Sequence, residues 1–370
     1  MMKTSSILSI VLAAVLTSCS GGHHFNSEGG IMEYASHIVL TDTDEGFHTL
    51  IANPWKKNTL LHTYTFTASG PTEYKFKDAV NTVHVPLQRV VVMTNSLAHL
   101  MVELGVENCI AGVCEPEYIS DTLVQARIAS GLIATCGNSM YPTIEKIMEL
   151  SPDAIMVSPF EETGYGQLEK LGIPLIECAD YMETSPLARA EWMRFYGRLF
   201  GAGERADSLF SVVSNNYLSL SEKASQAPDK PKVMLDTPVG SAWYMAGGAS
   251  TIGRMIADAG GEYLFSDNSN SGSVPLSFET VYERASEADI WLLKNSSEST
   301  SLTYKLLLSD RSQYASFKPF RERNIWVCDV NKVPYFELTS FHPELLLGDF
   351  ISIFHPEIKS GWYFYHPLDE

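Results

Sequence analysis

A chain of 370 residues with 45% hydrophobic and 19% charged side chains holds enough apolar material for real cores and is long enough for about two domains, which excludes a disordered chain. Its 26 Lys and Arg stand against 44 Asp and Glu, a formal charge of −18 with no basic cluster, so binding to a nucleic-acid backbone is excluded as well. The 17 Tyr and 6 Trp serve core packing and also suit contact with a large flat ligand.

At the start, Lys3 precedes an apolar run over 7–16 that is too short to cross a bilayer, and Leu16-Thr17-Ser18-Cys19 sets small residues before a cysteine. This reads as a secretory signal peptide, 1–18, ending in a bacterial lipoprotein box with Cys19 lipidated. Residues 19–33, rich in Gly, Ser, His and Asn, read as a flexible tether, and His23-His24 as part of that linker rather than a metal site. No later apolar stretch reaches the ~18–20 residues of a transmembrane helix. The expected location is the bacterial cell envelope, lipid-anchored and, with no acidic run after the cysteine, facing the periplasm. The other cysteines, Cys109, Cys114, Cys136, Cys178 and Cys328, are odd in number and lack C-x-x-C spacing. They read as buried small hydrophobes rather than a disulfide framework, a zinc ribbon or a redox pair.

Residues 34–85 carry short runs of β-formers separated by turn residues at 42–46 and 52–58, which predicts a β-rich extension laid on the main body. At Pro86 the pattern changes. Strands at 89–93, 110–113, 154–157 and 175–177 alternate with helices at 96–104, 144–150 and 167–171, the first stopped by Gly105 and the last by Gly172. Apolar strands alternating with helices predict a first α/β lobe with a parallel sheet over 86–182. Helical spacing over 186–200 and 204–224, split at Gly201 and Gly203, predicts a rigid connecting segment within 183–230. A second α/β lobe follows over 231–358, with strands at 232–235, 289–293 and 325–327, helices at 251–259 and 278–285, and a last helix opened by Pro343; 359–370 reads as a tail.

The two halves echo each other. Glu145 in the first turn of a short helix leads to Asp153 opening a buried strand, and Glu279 leads in the same way to Asp289. A carboxylate near a helix N-terminus is favoured for its own sake. Two such pairs at matching places predict two similar lobes.

No catalytic motif emerges. The nearest approach to a nucleophile elbow, Gly247-Gly248-Ala249-Ser250, lacks a glycine two after the serine, and there is no phosphate-binding loop, dinucleotide fingerprint or H-E-x-x-H helix. Three His-Pro pairs, at His342, His355 and His366, fit no single helix face, so capping and packing are preferred over metal ligation. No enzyme activity and no protein metal site are expected.

Five places taken together carry a resemblance. They are Gln88-Arg89-Val90-Val91-Val92 with Glu103-Leu104-Gly105; the run from Gly137 through Tyr141-Pro142-Thr143-Ile144-Glu145 to Ser151-Pro152-Asp153; Leu171-Gly172-Ile173-Pro174; Gly240-Ser241-Ala242-Trp243-Tyr244 with Ala259-Gly260-Gly261; and Ser277-Phe278-Glu279. In this order over 86–357 the chain resembles the Fe/B12 periplasmic-binding family, the solute receptors of ABC importers for ferric siderophores, haem and cobalamin. The extension before Pro86 departs from that pattern. The resemblance implies two α/β lobes joined by a single rigid helix with the ligand in the cleft between them. It implies a monomer with no intrinsic cofactor, anchored to the membrane by its lipid, that passes an iron chelate or cobalamin to an ABC permease and its ATPase subunits. A bare zinc or manganese receptor and a glycan-binding surface lipoprotein are the alternatives. The aromatic-rich loops fit the first poorly and the two-lobe pattern speaks against the second.

Ligands collect at the carboxyl ends of parallel strands. Loops after the predicted strands nominate Asn95, Ser96, Phe160, Glu161, Tyr165, Trp243, Tyr244, Tyr335 and Phe336 as cleft lining. Tyr141, Tyr165 and Tyr335 are the candidates for an axial ligand should the cargo be haem. In the family resembled, one acidic residue on each lobe docks on the permease, and by position these are Glu145 and Glu279; the rival role for both is helix capping.

Overall fold

In a computed structural model the described residues are 30–56, 59–68, 81–161, 164–297 and 300–370. The signal peptide, Cys19 and the His23-His24 pair lie outside them. The chain enters as a four-stranded sheet of β1 (Ile38–Thr43), β2 (Gly46–Ala52), β3 (Leu60–Thr67) and β4 (Asn81–His84), in that order. The first three strands are an antiparallel meander and β4 runs parallel to β3. Gly46 is obligatory at the β1–β2 turn, because a Cβ there would lie 2.0 Å from the Phe66 carbonyl oxygen. Alternation along β2 buries Phe47, Thr49 and Ile51 on one face. Ile38, Phe47, Tyr64 and Phe66 share one core with Val90, Leu97 and Phe195, so the extension is a layer of the first lobe. The strap before it is fixed as well. The amides of Glu33, Tyr34 and Ala35 donate to buried Glu191, and those of Ser36 and His37 to buried Glu183.

The first lobe holds β5 (Val90–Val92), α1 (Asn95–Glu103), β6 (Ile110–Val113), α2 (Thr122–Ala129), β7 (Ala134–Thr135), α3 (Ile144–Leu150), β8 (Ala154–Val157) and β9 (Leu175–Glu177). Its sheet runs β7-β6-β5-β8-β9 with every pairing parallel. Every residue of β5, β6 and β8 is buried, as a parallel sheet covered on both faces requires. Where the spacing predicts a helix over 167–171, the chain makes only a 3-10 turn, Leu168–Lys170. So few residues between glycines cannot repay helix nucleation.

Two helices follow, α4 (Pro186–Leu199) and α5 (Gly203–Ser225). Both touch the second core, α4 through Leu187, and α5 runs the length between the lobes. Its 23 residues, at ~1.5 Å each, give a rod of about 35 Å. Ala206, Phe210 and Val213 on it belong to the first core, Tyr217 and Ala224 to the second. α4 buries Trp192, Phe195 and Tyr196 in the first lobe.

The second lobe holds β10 (Lys232–Leu235), β11 (Trp243–Ala246), α6 (Thr251–Asp258), β12 (Glu262–Tyr263), β13 (Ser273–Leu276), α7 (Phe278–Ala285), β14 (Ile290–Asn295), α8 (Tyr304–Asp310), α9 (Lys318–Arg321), β15 (Ile325–Asp329), α10 (Tyr335–Leu338), α11 (Pro343–Phe354) and β16 (Tyr365–Pro367). Its sheet runs β12-β10-β14-β15-β16, parallel except for β16, and β11 pairs with β13 in a separate antiparallel ribbon. The residues read as a tail thus supply the edge strand of this sheet. The fold is α/β, two lobes with largely parallel sheets, a long connecting helix and an N-terminal β-sheet.

The internal echo has a structural basis. Asp153 accepts the amides of Gln88 and Arg89 at 2.8 and 2.9 Å, and its own amide donates to the Arg89 carbonyl. Asp289 accepts the Lys232 amide at 2.8 Å, and its amide donates to the Lys232 carbonyl. In each lobe one aspartate ties the start of its own strand to the start of the neighbouring first strand. The five cysteines after Cys19 are free, four of them buried and Cys109 half-buried. Among the described residues no helix is long and apolar enough to cross a membrane.

Candidate ligand cleft between the lobes

β5, β8 and β9 deliver their carboxyl ends to a cavity of about 260 Å³. Thr94, Asn95 and Ser96 line it after β5, Ser158 after β8, and Cys178, Asp180 and Tyr181 after β9, with Arg189 from the first turn of α4. The second lobe supplies Phe336, Thr339 and Ser340, in and just after α10. The cavity therefore lies between the lobes, at the strand ends where the backbone of a parallel sheet leaves room for a ligand.

Its lining is mostly hydroxyl and amide, with one ion pair. Arg189 Nε donates to Asp180 Oδ2 at 3.4 Å, and the Tyr196 hydroxyl donates to Asp180 Oδ1 at 2.8 Å. Burial pushes the Asp180 carboxyl up, and the neighbouring Arg189 charge and the Tyr196 hydrogen bond pull it part of the way back. Phe336 is 61% exposed and meets Tyr335 edge-on at 5.2 Å. The Tyr181 hydroxyl donates to the Pro159 carbonyl, which fixes this ring beside Phe160.

Next to the cavity the second lobe grips the first. Buried Glu337 accepts from the Ser120 amide at 2.9 Å and from the Ser120 hydroxyl. His342 Nε2 lies 2.9 Å from Glu103 of α1 and its Nδ1 3.0 Å from Glu344. His99, on α1, holds Asp121 at 2.9 Å. Burial alone would push His342 down, but its two hydrogen-bonded carboxylates carry it up to about 9, so it is an imidazolium near neutral pH. The Phe341 ring, between these groups in sequence, enters the first core edge-on to Tyr196 at 5.9 Å.

Of the residues the sequence nominated, Asn95, Ser96 and Phe336 line the cavity. Phe160 is exposed beside Tyr181, and Glu161 is exposed on the same loop. Tyr165 donates its hydroxyl to Glu177 at 3.0 Å, against His62 of the extension, and does not line the cavity. Tyr335 is buried behind Phe336 against Phe364, Tyr141 is exposed ahead of α3, and Tyr244 is exposed on β11. None of the three tyrosines considered as axial ligands reaches the cavity.

Trp243 requires a correction. It is fully buried, with its indole N–H donated to the Leu235 carbonyl at 3.0 Å and its ring among Phe278, Trp291, Tyr314 and Phe317. The residue after a strand turned inward because a two-stranded ribbon starts there and packs its inner face on the second core. Glu145 and Glu279 are exposed in the first turns of α3 and α7, with no hydrogen-bond or ion-pair partner among the described residues. The hydrogen-bonding cap of α7 is the Ser277 hydroxyl, which accepts the Thr280 amide, while both carboxylates keep the first-turn places that favour a negative charge. Ser250 of the near-elbow is likewise an N-cap, accepting the Gly253 amide.

Sequence reasoning missed Thr94, Ser158, Cys178, Asp180, Tyr181, Arg189, Thr339 and Ser340. Ser158, Asp180 and Tyr181 follow strand ends and obey the rule that nominated their neighbours. Arg189 sits inside a helix and gave no such signal. The three His-Pro histidines are apart: His342 in the inter-lobe contact, His355 buried after α11, and His366 beside Asp329. Among the described residues no group of three or more His, Cys, Asp or Glu is placed to hold a metal ion. A larger recess of about 690 Å³ lies beside Phe47 and residues 201–205, and Arg198 within it is spent on Asp42 and Asp207.

Comparison with known proteins agrees with this fold. An uncharacterised lipoprotein of Methanocaldococcus jannaschii is 26% identical over 96% of this chain and 93% of its own length. A cobalamin-binding protein of Halobacterium salinarum is 23% identical over 66% of this chain and 64% of its own. Among solved structures, a periplasmic haem-binding protein from Pseudomonas aeruginosa superposes with a TM-score of 0.58 at 19% identity, covering 77% of this chain and 99% of that one. An Fe3+-hydroxamate transport protein from Saccharomonospora viridis gives 0.58 at 18%, over 73% and 94%. The family model described as periplasmic binding protein matches residues 90–331, from β5 of the first lobe to just after β15 of the second, and the chain belongs to that family, in the Fe/B12 type of ABC-importer solute-binding proteins.

Proposed function

We propose that this receptor captures a metal chelate, a ferric siderophore, haem or cobalamin, in the cleft between its lobes and hands it to its permease. The observation that supports this is the inter-lobe cavity at the carboxyl ends of β5, β8 and β9, walled by hydroxyl, amide and guanidinium donors with Phe336 exposed at its side. Such donors bind the oxygens of a chelate; a bare divalent cation needs carboxylates, imidazoles or thiolates converging on one point. A volume of about 260 Å³ takes one arm of a chelate, with the remainder in the mouth between the lobes. Lipid on Cys19 would hold the receptor at the envelope membrane, on its periplasmic face. The exposed, unpaired Glu145 and Glu279, one on each lobe, are the contacts proposed for basic pockets of the two permease subunits.

Titration with ferric haem, cyanocobalamin and a panel of ferric siderophores, followed by tryptophan fluorescence and cargo absorbance, tests the reading. Saturable one-to-one binding of one of these is expected. Binding of zinc or manganese salts alone, with no chelate bound, would overturn it.

A further inference from the structure

We propose that the cargo carries a free carboxylate and that Arg189 selects it. The inference rests on the cleft being the binding site. Arg189 is the one cation among the described residues lining the cavity, and its side chain is 28% exposed. A guanidinium presents its N–H groups as a planar fork with two usable edges. Here Nε is given to Asp180 at 3.4 Å, while Nη1 and Nη2 have no acceptor among the described residues. The free edge matches the two oxygens of a carboxylate in a bidentate pair, the strongest polar contact a side chain offers to a planar oxyanion.

The surroundings keep that edge available. Asp180 is 6% exposed and anchored by the Tyr196 hydroxyl, so it orients the fork without swinging across its open edge. The cation at the end of β14 in the other lobe, Lys294, is spent on Asp236 at 2.8 Å. Ser96, Ser158, Thr339 and Ser340 add neutral donors around the cavity, in which Asp180 is the one carboxylate among the described lining residues. On a chain of net charge −18, an open guanidinium edge inside a partly enclosed cavity is where an anionic group gains most. Phe336 offers an apolar face beside it for the flat part of the same molecule.

The test compares ferric haem, which has two propionates, with its dimethyl ester, and a ferric carboxylate siderophore with cyanocobalamin and a ferric hydroxamate, none of the last two bearing a free carboxylate. With the unaltered mature protein, a carboxylate-bearing chelate is expected to bind at least tenfold more tightly than every carboxylate-free one. Arg189→Gln should weaken that chelate at least tenfold and leave the weak binding of the others unchanged. Arg189→Lys, which keeps charge and loses the fork, should fall between. Tightest binding to cyanocobalamin or the hydroxamate, or undiminished affinity in Arg189→Gln, overturns the assignment and leaves the cleft reading standing. Failure of every chelate to bind overturns the cleft reading itself. The comparison among chelates uses unaltered protein and so decides the matter even where Arg189→Gln folds poorly.

Discussion

The two lobes open alike and end differently. Each begins with a buried parallel strand tied by an aspartate to its neighbour, Asp153 in the first and Asp289 in the second. The first lobe then stays parallel throughout and spends its strand ends on the cavity, with polar side chains after β5, β8 and β9. The second inserts a ribbon after β10, closes its sheet with antiparallel β16, and fills its interior with Trp243, Trp291, Tyr314 and Phe317. Among the described residues it reaches the cavity only through the short segment around α10. One lobe is therefore the chemical wall of the cleft and the other a stiff body that presents a lid-like edge to it. A shared βα pattern sets the frame, and the segments between strands decide which strand ends stay open.

The largest effect should come from the aromatic core of the second lobe. Trp243→Ala is expected to cost ~3–5 kcal/mol in denaturant unfolding, while the protein that remains folded binds cargo normally. Loss of affinity with little loss of stability would return Trp243 to the cleft wall.

Next comes the contact between the lobes. His342 sits at about 9 when folded, against an ordinary value of about 6.5. Its stabilisation is complete below pH ~6.5 and fades as pH rises toward 9, because the folded form binds the extra proton. Wild-type stability should fall by on the order of 2–3 kcal/mol across that window, and His342→Gln should be less stable at pH 6 and lose most of the slope. An unchanged slope would show that the His342 contact does not report on lobe association.

The aspartate ties test the repeat itself. Asp153→Asn and Asp289→Asn should each cost ~1–3 kcal/mol, and nearly the same as each other if the lobes are built alike. Burial pushes the Asp289 carboxyl up, but the Lys232 amide and the Lys318 ammonium hold it below the usual range. Its share of stability is therefore present above pH ~4 and lost as pH falls through the lowered value, which thermal melts between pH 5 and 2 would follow.

The smallest effect on stability belongs to the exposed glutamates. Glu145→Gln with Glu279→Gln should alter stability by no more than about 0.5 kcal/mol and leave cargo affinity intact. Uptake into vesicles holding the cognate permease should fall sharply. Normal uptake would remove both residues from the permease interface.

Much of the fold was legible because its signals are local. Apolar runs such as 110–113 and 154–157 declare buried strands, and the spacing along 204–224 declares a long amphipathic helix; both are found. Short elements escaped: β7 and β12 have two residues each and α10 four, too few for any periodicity to register. The site was half legible for the same reason. A position after a strand is a local fact, and it led to Asn95 and Ser96. Whether the side chain there turns toward the cavity is not, and it failed for Trp243 and Tyr165.

The short apolar run before Cys19, the acidic balance, the two βα halves and the echo of Glu-then-Asp are properties of the sequence alone, since each depends on neighbours along the chain. The tertiary structure alone decided that α5 runs from one core to the other while α4 lies mostly in the first, and that the last residues close a sheet. It also decided that Arg189 in a helix meets Asp180 after a strand while Phe336 faces them from the other lobe. These depend on which distant segments bury one another, and on which groups that burial leaves without a partner at the cleft.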